Sequence, residues 1–315
     1  MIETWLTSNF SLDVPVVGAP MAGPGEGRLA AAVSAAGGLG MVGVLATRSP
    51  EWLEEQAAIA AAPGRAYGIG LMAWALDRDD RVLEAAIRLR PSLVSVSFGD
   101  VAPYVDRLRT AGIPVAVQIG NFAEALAAQS AGADLVVARG AEGGGHGRNE
   151  VGTLPLLQAV LDQLDVPVVA AGGIGTARGL AAVLAAGAVG AWVGTAFLTA
   201  KEAGTSDRAR ARLLAADETA TAYGRVFDVA QRLSWPTEYG GRALRNEYFD
   251  RWADRLDELS TDEDAAAQLA EARTTEDYDT AYVYAGQGVG LLSEERSAAD
   301  ILADLARAED LLRRW

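Results

Sequence analysis

Cysteine is absent from this chain of 315 residues, and histidine occurs once, at position 146. The lack of cysteine excludes disulfides, thiolate nucleophiles and cysteine-ligated metal or iron–sulfur centres. A single imidazole also excludes the common zinc sites, which need several histidines. We therefore expect no metal site, and the absence of disulfides is compatible with a reducing cytoplasm.

Basic residues are scarce as well, because 27 Lys and Arg are set against 42 Asp and Glu, for a net charge of −15. This balance argues against a nucleic-acid partner, since binding a phosphodiester backbone needs clustered cations. The first ten residues, MIETWLTSNF, lack the basic region and apolar core of a secretory signal. We therefore expect a cytoplasmic protein.

One uncharged stretch, residues 179–200, is long enough to span a bilayer. Its apolar character comes mostly from alanine, and Gly187 and Gly190 divide it into a helix-like half and a short strand-like half. We interpret it as a buried connection between a helix and a strand, and expect no membrane partner.

Short runs rich in Val, Ile and Leu recur through the first two thirds of the chain, separated by Ala- and Leu-rich stretches with helical spacing. They are VPVVGAP from Val14, LGMVGV from Leu39, YGIGLM from Tyr67, LVSVSF from Leu93, VAVQIG from Val115, DLVVARG from Asp134, VPVVAAGG from Val166 and AVGAWVGT from Ala188. This rhythm is typical of βα units in a parallel sheet.

Eight such units predict an α/β fold, a closed (β/α)₈ TIM barrel, with an open doubly wound sheet as the alternative. The alternative lacks its nucleotide-binding motif. In GGIGTARG, Gly173, Gly175 and Gly179 place the third glycine one position late for the G-x-G-x-x-G pattern.

The rhythm stops near residue 204, and the following segment is richer in charged and aromatic residues. We predict three parts. Residues 1–204 form the barrel, residues 205–282 form a helical appendage beside its mouth, and residues 283–315 form a Gly-rich turn and a helix that packs back on the barrel.

Glycines follow the predicted strands at the end where barrel enzymes place their active sites. Gly172 and Gly173 follow the seventh strand, and Gly194 and Thr195 follow the eighth. Barrels commonly bind a phosphate with these two loops, whose free N–H groups point at the anion. The alternative is that these glycines serve only in turns or in helix packing.

Other candidates are individually weaker. Met21, in APMAG after the first strand, either fills the core or contacts a flat ring system. Gln118 ends the fifth strand, where an amide is either a structural hydrogen-bonding group or a contact for the edge of a heterocycle. His146 follows three glycines, which occur where backbone takes positive φ or approaches a neighbour closely.

Together these segments resemble the nitronate monooxygenases, formerly called 2-nitropropane dioxygenases. The resemblance rests on VVGAPMAG, GGLGMVG, GADLVVARGAEGGGHG, AAGGIGTARGLAAVLAAGAVGAWVGTAFL and AGQGVGL, in this order and at this spacing. It covers the barrel and the C-terminal segment and fades between residues 205 and 282. It implies a flavoprotein oxidoreductase with non-covalent FMN.

The resemblance also implies roles for individual residues, with His146 at the position of the family's catalytic histidine. The implied cofactor contacts are Gly172, Gly173, Gly194 and Thr195 for the phosphate, Ala19, Pro20, Met21 and Gln118 for the ring system, and Gly144, Gly145, Gly286, Gln287 and Gly288 for the pocket lining. Gly70 stands where family members often have an asparagine that would contact the flavin, so flavin tuning is expected to differ here.

The implied reaction is oxidative denitrification of an alkyl nitronate with O₂ to a carbonyl compound and nitrite. With a neutral nitroalkane, His146 would remove the α-proton. The alternatives are an NAD(P)H-dependent flavin reductase for enoyl thioesters or quinones, and a flavin- or phosphate-binding barrel that scavenges or senses without catalysis. The expected partners are a small-molecule substrate and O₂, and a homodimer is compatible with the sequence.

Overall fold

A computed structural model describes residues 2–314 and shows eight parallel strands closed into a barrel. The barrel strands are β1 (Val16–Gly18), β2 (Leu39–Gly43), β3 (Tyr67–Met72), β4 (Leu93–Ser97), β5 (Val115–Ile119), β6 (Leu135–Arg139), β8 (Val168–Ala171) and β9 (Ala191–Val193). Each lies within one of the eight predicted runs, and β9 pairs with β1 to close the sheet. The (β/α)₈ prediction is confirmed, and the doubly wound alternative is excluded.

Helices surround the barrel, and side-chain caps start several of them. The oxygens of Ser49, Asn121 and Thr176 accept from backbone N–H groups three residues on, which satisfies donors that a helix leaves free. The helices are α2 (Gly27–Ala35), α3 (Pro50–Ala61), α4 (Ala73–Leu76), α5 (Arg81–Leu89), α6 (Ala102–Thr110), α7 (Phe122–Ala131), α8 (Thr153–Leu161) and α9 (Ala177–Ala185).

Successive side chains of a strand point alternately into two different apolar cores. Val16 of β1 packs outward against the helices, while Val17 joins the core inside the barrel. A first helix, α1 (Trp5–Phe10), adds Leu6 and Phe10 to that inner core. No helix within residues 2–314 is long and apolar enough to cross a membrane.

The segment 205–282 contains strands as well as helices, so the prediction of helices alone was wrong there. Its elements are α10 (Asp207–Leu214), β10 (Thr221–Gly224), α11 (Val226–Ala230), β11 (Gly240–Leu244), α12 (Glu247–Trp252), α13 (Leu256–Leu259) and α14 (Glu263–Thr275). The strand β11 lies between β10 and β7 (Gly145–Gly147), antiparallel to both. Strands β7 and β11 are distant in sequence, and both are rich in glycine. The sequence therefore shows no local alternation of apolar residues that would predict this sheet.

A 3₁₀ turn, η1 (Thr195–Thr199), follows β9. A second 3₁₀ turn, η2 (Gln287–Leu291), precedes two helices, α15 (Ala298–Ala306) and α16 (Ala308–Leu312), where one C-terminal helix was expected. Helix α15 contacts α2 and α9, and α16 contacts α9. The C-terminal helices therefore pack on the outer helical layer, and η2 lies beside η1 at the end of β9.

Candidate active site

His146 lies in the middle of β7, directly opposite Gly241 of β11. Its Nε2 lies 2.8 Å from Oδ1 of Asp228, and the two side chains are 11% and 2% exposed. Asp228 belongs to α11, so the appendage supplies the hydrogen-bond partner of a side chain that the barrel loop carries. The imidazole is thereby held at one nitrogen by a buried carboxyl group.

Aromatic rings hold the same imidazole from other sides. The ring of Trp235 is stacked on it with centroids 3.7 Å apart and planes within 1°, and the Tyr284 ring centroid lies at 5.1 Å. The Tyr284 hydroxyl donates to Asp228 Oδ1 at 3.4 Å. Burial, reinforced by the Asp228 carboxyl, raises the pKa of Tyr284 well above its ordinary value, so this hydroxyl keeps its proton.

A buried arginine shapes the loop that carries His146. Arg139, at the end of β6 and 3% exposed, donates to the carbonyls of Gly143, Gly145 and Arg148. Burial, with a smaller contribution from Arg242, lowers the pKa of Arg139 to about 10, so it stays charged at neutral pH. A Cβ at Gly143 would lie 2.5 Å from Arg139 Nε, which explains the glycine there.

The loops after β8 and β9 present unpaired backbone donors. Gly172 and Gly173 have φ of +107° and +70°, conformations that favour glycine. Within residues 2–314, the N–H groups of Gly173, Gly194 and Thr195 donate to no protein acceptor. The two predicted phosphate loops thus offer free N–H groups at the ends of adjacent strands.

The C-terminal turn closes over these loops. Thr195 Oγ1 accepts from the N–H of Gly286 at 2.9 Å, and a Cβ at Gly288 would lie 3.6 Å from Gly173. Gly144 meets the same turn, since a Cβ there would lie 2.5 Å from the Gly286 nitrogen. Gln287, which follows Gly286 in this turn, donates its N–H to the carbonyl of Glu142 at 2.9 Å. The structure therefore brings together residues that the sequence separates widely.

The loop after β1 reaches the same region. A Cβ at Gly194 would lie 3.6 Å from both Ala19 Cβ and Met21 Sδ. Gly145, with φ of +66°, has nothing within 4 Å of the position a Cβ would take, so it borders open space.

Two of the predicted cofactor residues, Gly70 and Gln118, also contact protein groups of the site. Gly70 lies beneath Pro20, because a Cβ there would come within 2.3 Å of Pro20 Cβ. An asparagine at this position would require Pro20 to move. Gln118 Nε2 donates to the carbonyl of His146 at 3.3 Å, so its amide supports the histidine backbone.

Sequence reasoning missed Asp228, Tyr284 and Arg139. Asp228 stands in the apolar run VFDVA, and an acidic residue inside such a run is the one signal that could have indicated a buried carboxyl. Arg139 carries a similar signal, as a charged residue inside the apolar run DLVVARG, whereas Tyr284 carries none. Trp235 joins a cluster with Trp74, Phe98 and Tyr239.

A closed parallel barrel with candidate residues at the carboxyl ends of its strands defines the chain as a protein of the TIM-barrel class, whose active sites lie at this end. The chain belongs to the nitronate monooxygenase family, whose model matches residues 67–308. The family is one of flavin-dependent oxidoreductases, which makes a flavin the cofactor class.

Individual relatives carry different activities in their names. The chain is 36% identical to a 5-hydroxy-7a-methyl-1-oxo-octahydro-1H-indene-4-carboxyl-CoA dehydrogenase of Rhodococcus jostii, over 72% of this chain and 64% of the relative. The match thus spans less than two thirds of that relative's length.

Solved structures of other proteins match nearly the whole chain. The nitroalkane oxidase of Streptomyces ansochromogenes has a TM-score of 0.83 at 29% identity, covering 98% of this chain and 99% of the other. FabK of Thermotoga maritima has a TM-score of 0.85 at 26% identity, covering 100% and 98%.

Proposed function

We propose that the chain is an FMN-dependent nitronate monooxygenase that converts alkyl nitronates, with O₂, to a carbonyl compound and nitrite. The observation that supports this most is the position of His146. It is the chain's only imidazole, lies at the mouth of the barrel, and is oriented by a buried carboxyl group. The family membership agrees with this reaction class.

The residues present fit the phosphate of a flavin mononucleotide. Free N–H groups at Gly173, Gly194 and Thr195 are the donors that a phosphate dianion requires. The positive φ of Gly172 and Gly173 turns the backbone toward the mouth without a side chain in the way. We assign these residues to the phosphate, with the turn of Gly286, Gln287 and Gly288 covering it.

The flavin ring would lie among Ala19, Pro20, Met21 and Gly144, with the open face of Gly145 toward it. When bound, the flavin supplies the electron-transfer chemistry with O₂. This chain's own contribution is to hold the substrate beside it and to manage charge and protons. A nitronate is an anion, which His146 would balance and orient in its imidazolium form, where both ring nitrogens carry a proton and Nδ1–H can donate to it.

The proposal is tested by purifying the protein, recording its visible spectrum, and identifying the released cofactor by mass. O₂ uptake and nitrite release with propyl-2-nitronate are then compared with anaerobic oxidation of NAD(P)H. We expect a bound FMN and nitronate-dependent O₂ uptake. A colourless protein that neither binds added FMN nor consumes O₂ would refute the proposal.

The same measurements distinguish nitronate oxidation from a competing flavin-reductase activity. The likeness to FabK and the dehydrogenase name of the Rhodococcus jostii relative favour testing a flavin reductase on this barrel. Rapid bleaching of the flavin by NAD(P)H, without turnover of nitronate, would support that reading instead.

A further inference from the structure

The two nitrogens of the His146 imidazole have different surroundings. Nε2 contacts the carboxyl oxygen of Asp228 at 2.8 Å, whereas Nδ1 has no hydrogen-bond partner within residues 2–314. A neutral imidazole carries one proton, so whichever nitrogen holds it, the other is the proton acceptor. The contact with Asp228 therefore decides which nitrogen can act as a base.

The surroundings of Asp228 favour its role as an acceptor. Tyr284 donates its hydroxyl to the same Oδ1, and that hydroxyl keeps its proton. The Asp228 side chain is 2% exposed, so water cannot replace either contact freely. A carboxylate that accepts from the Tyr284 hydroxyl is suited to accept from Nε2–H as well.

The ring is also fixed against rotation. Trp235 covers one face of the imidazole in a parallel stack, and Gln118 holds the backbone carbonyl of His146. With one face covered and Nε2 bound, Nδ1 is the polar atom of the ring left for a substrate.

We propose that Asp228 is a positioning residue that holds the Nε2–H tautomer of His146 and leaves Nδ1 to accept a proton from the substrate. The inference rests on the proposed function. With a neutral nitroalkane, the bond between the α-carbon and its hydrogen breaks and the proton moves to Nδ1. The electron pair stays on the substrate, which becomes the nitronate. The imidazolium keeps its Nε2–H bond to Asp228.

The tautomer can be read directly, because an untagged chain contains only one histidine. In ¹⁵N-histidine-labelled holoenzyme, we expect a protonated, slowly exchanging Nε2 and an unprotonated Nδ1. Asp228→Ala should speed exchange of that proton, and Asp228→Asn should shift the population toward Nδ1–H, since an amide can donate. A wild-type spectrum with Nδ1 protonated, or one that Asp228→Ala leaves unchanged, would overturn the assignment.

The second measurement compares two forms of one substrate. For Asp228→Asn we expect a loss of about 100-fold or more in kcat/KM on a nitroalkane, the size of a lost base, and a change within about threefold on the preformed nitronate. Equal losses on both forms would indicate a structural role. Asp250→Asn, in the exposed pair with Arg245, is the control and should change neither the spectrum nor the turnover.

The outcomes separate this inference from the proposed function. If the holoenzyme turns over the nitronate but never the nitroalkane, proton abstraction by Nδ1 is wrong although the denitrification stands. If neither form is turned over, the proposed function fails, while the spectrum still shows whether Asp228 orients the ring.

Discussion

The indole of Trp235 lies flat against the imidazole of His146, with ring centroids 3.7 Å apart. This stack joins the barrel loop to the segment between α11 and β11, and Trp74 and Phe98 pack behind it at 5.0 and 5.2 Å from the indole. The aromatic cluster therefore forms one wall beside the candidate catalytic residue.

We expect Trp235→Ala to widen the site and shift its preference toward bulky nitronates. The measurement is the ratio of kcat/KM for a phenyl-substituted nitronate to that for propyl-2-nitronate, which should rise about tenfold. The lost packing should also lower the free energy of unfolding by about 3 kcal/mol. Trp252→Ala, a similarly buried indole in the appendage core, should lose comparable stability without changing the ratio.

Replacing the histidine itself separates cofactor binding from chemistry. His146→Asn should keep FMN bound, because the proposed phosphate contacts are backbone groups of other loops. Turnover of nitroalkanes should fall about 10²-fold to 10⁴-fold, the usual contribution of a general base. Steady-state O₂ uptake and the flavin spectrum measure both quantities, and undiminished turnover would remove His146 from the mechanism.

Two glycines with nearly the same backbone angle test the phosphate cradle. Gly173 and Gly64 have φ of +70° and +68°, and both are exposed. Alanine at either position should cost about 1 kcal/mol of stability through the strained left-handed conformation. Only Gly173→Ala should weaken FMN binding, by about tenfold in a fluorescence titration. Equal FMN affinity in both variants would place the phosphate elsewhere.

Tyr248 should make stability fall at alkaline pH. Burial raises the pKa of this tyrosine to about 12, and its hydroxyl donates to the carbonyl of Ala265 at 2.9 Å. Since the folded pKa exceeds the unfolded value near 10, the folded state holds the proton longer, and stability is lost as pH rises from about 10 to 12.

Tyr248→Phe should reduce the slope of the unfolding free energy against pH in this range by up to about 1.4 kcal/mol per pH unit, the contribution of one proton. Urea unfolding at a series of pH values measures the effect. The wild-type and variant curves should run parallel below pH 9. A variant slope as steep as that of the wild type above pH 10 would assign the alkaline loss to other groups.

The barrel could be predicted from the sequence because its signals are local. Each strand is a short apolar run with a helical stretch beside it, and burial on both faces makes such runs continuous. The glycines after the seventh and eighth runs could be placed for the same reason, since position after a strand decides which end of the barrel a loop occupies.

The partners of His146 could not be predicted in this way. Asp228 follows it by 82 positions and Trp235 lies further along, in a segment where only helices were expected. They meet the imidazole because β11 pairs with β7, and that pairing depends on backbone hydrogen bonds between distant glycine-rich segments.

The sequence by itself thus determined the barrel, its functional end, and the identity of the only imidazole available there. The tertiary structure alone decided which nitrogen of that imidazole is engaged, which ring covers it, and which buried arginine shapes its loop. The physical reason is that the periodicity of apolar residues is a local signal, which indicates the secondary structure of a segment and its buried face. A hydrogen bond between distant segments exists only once the chain has folded.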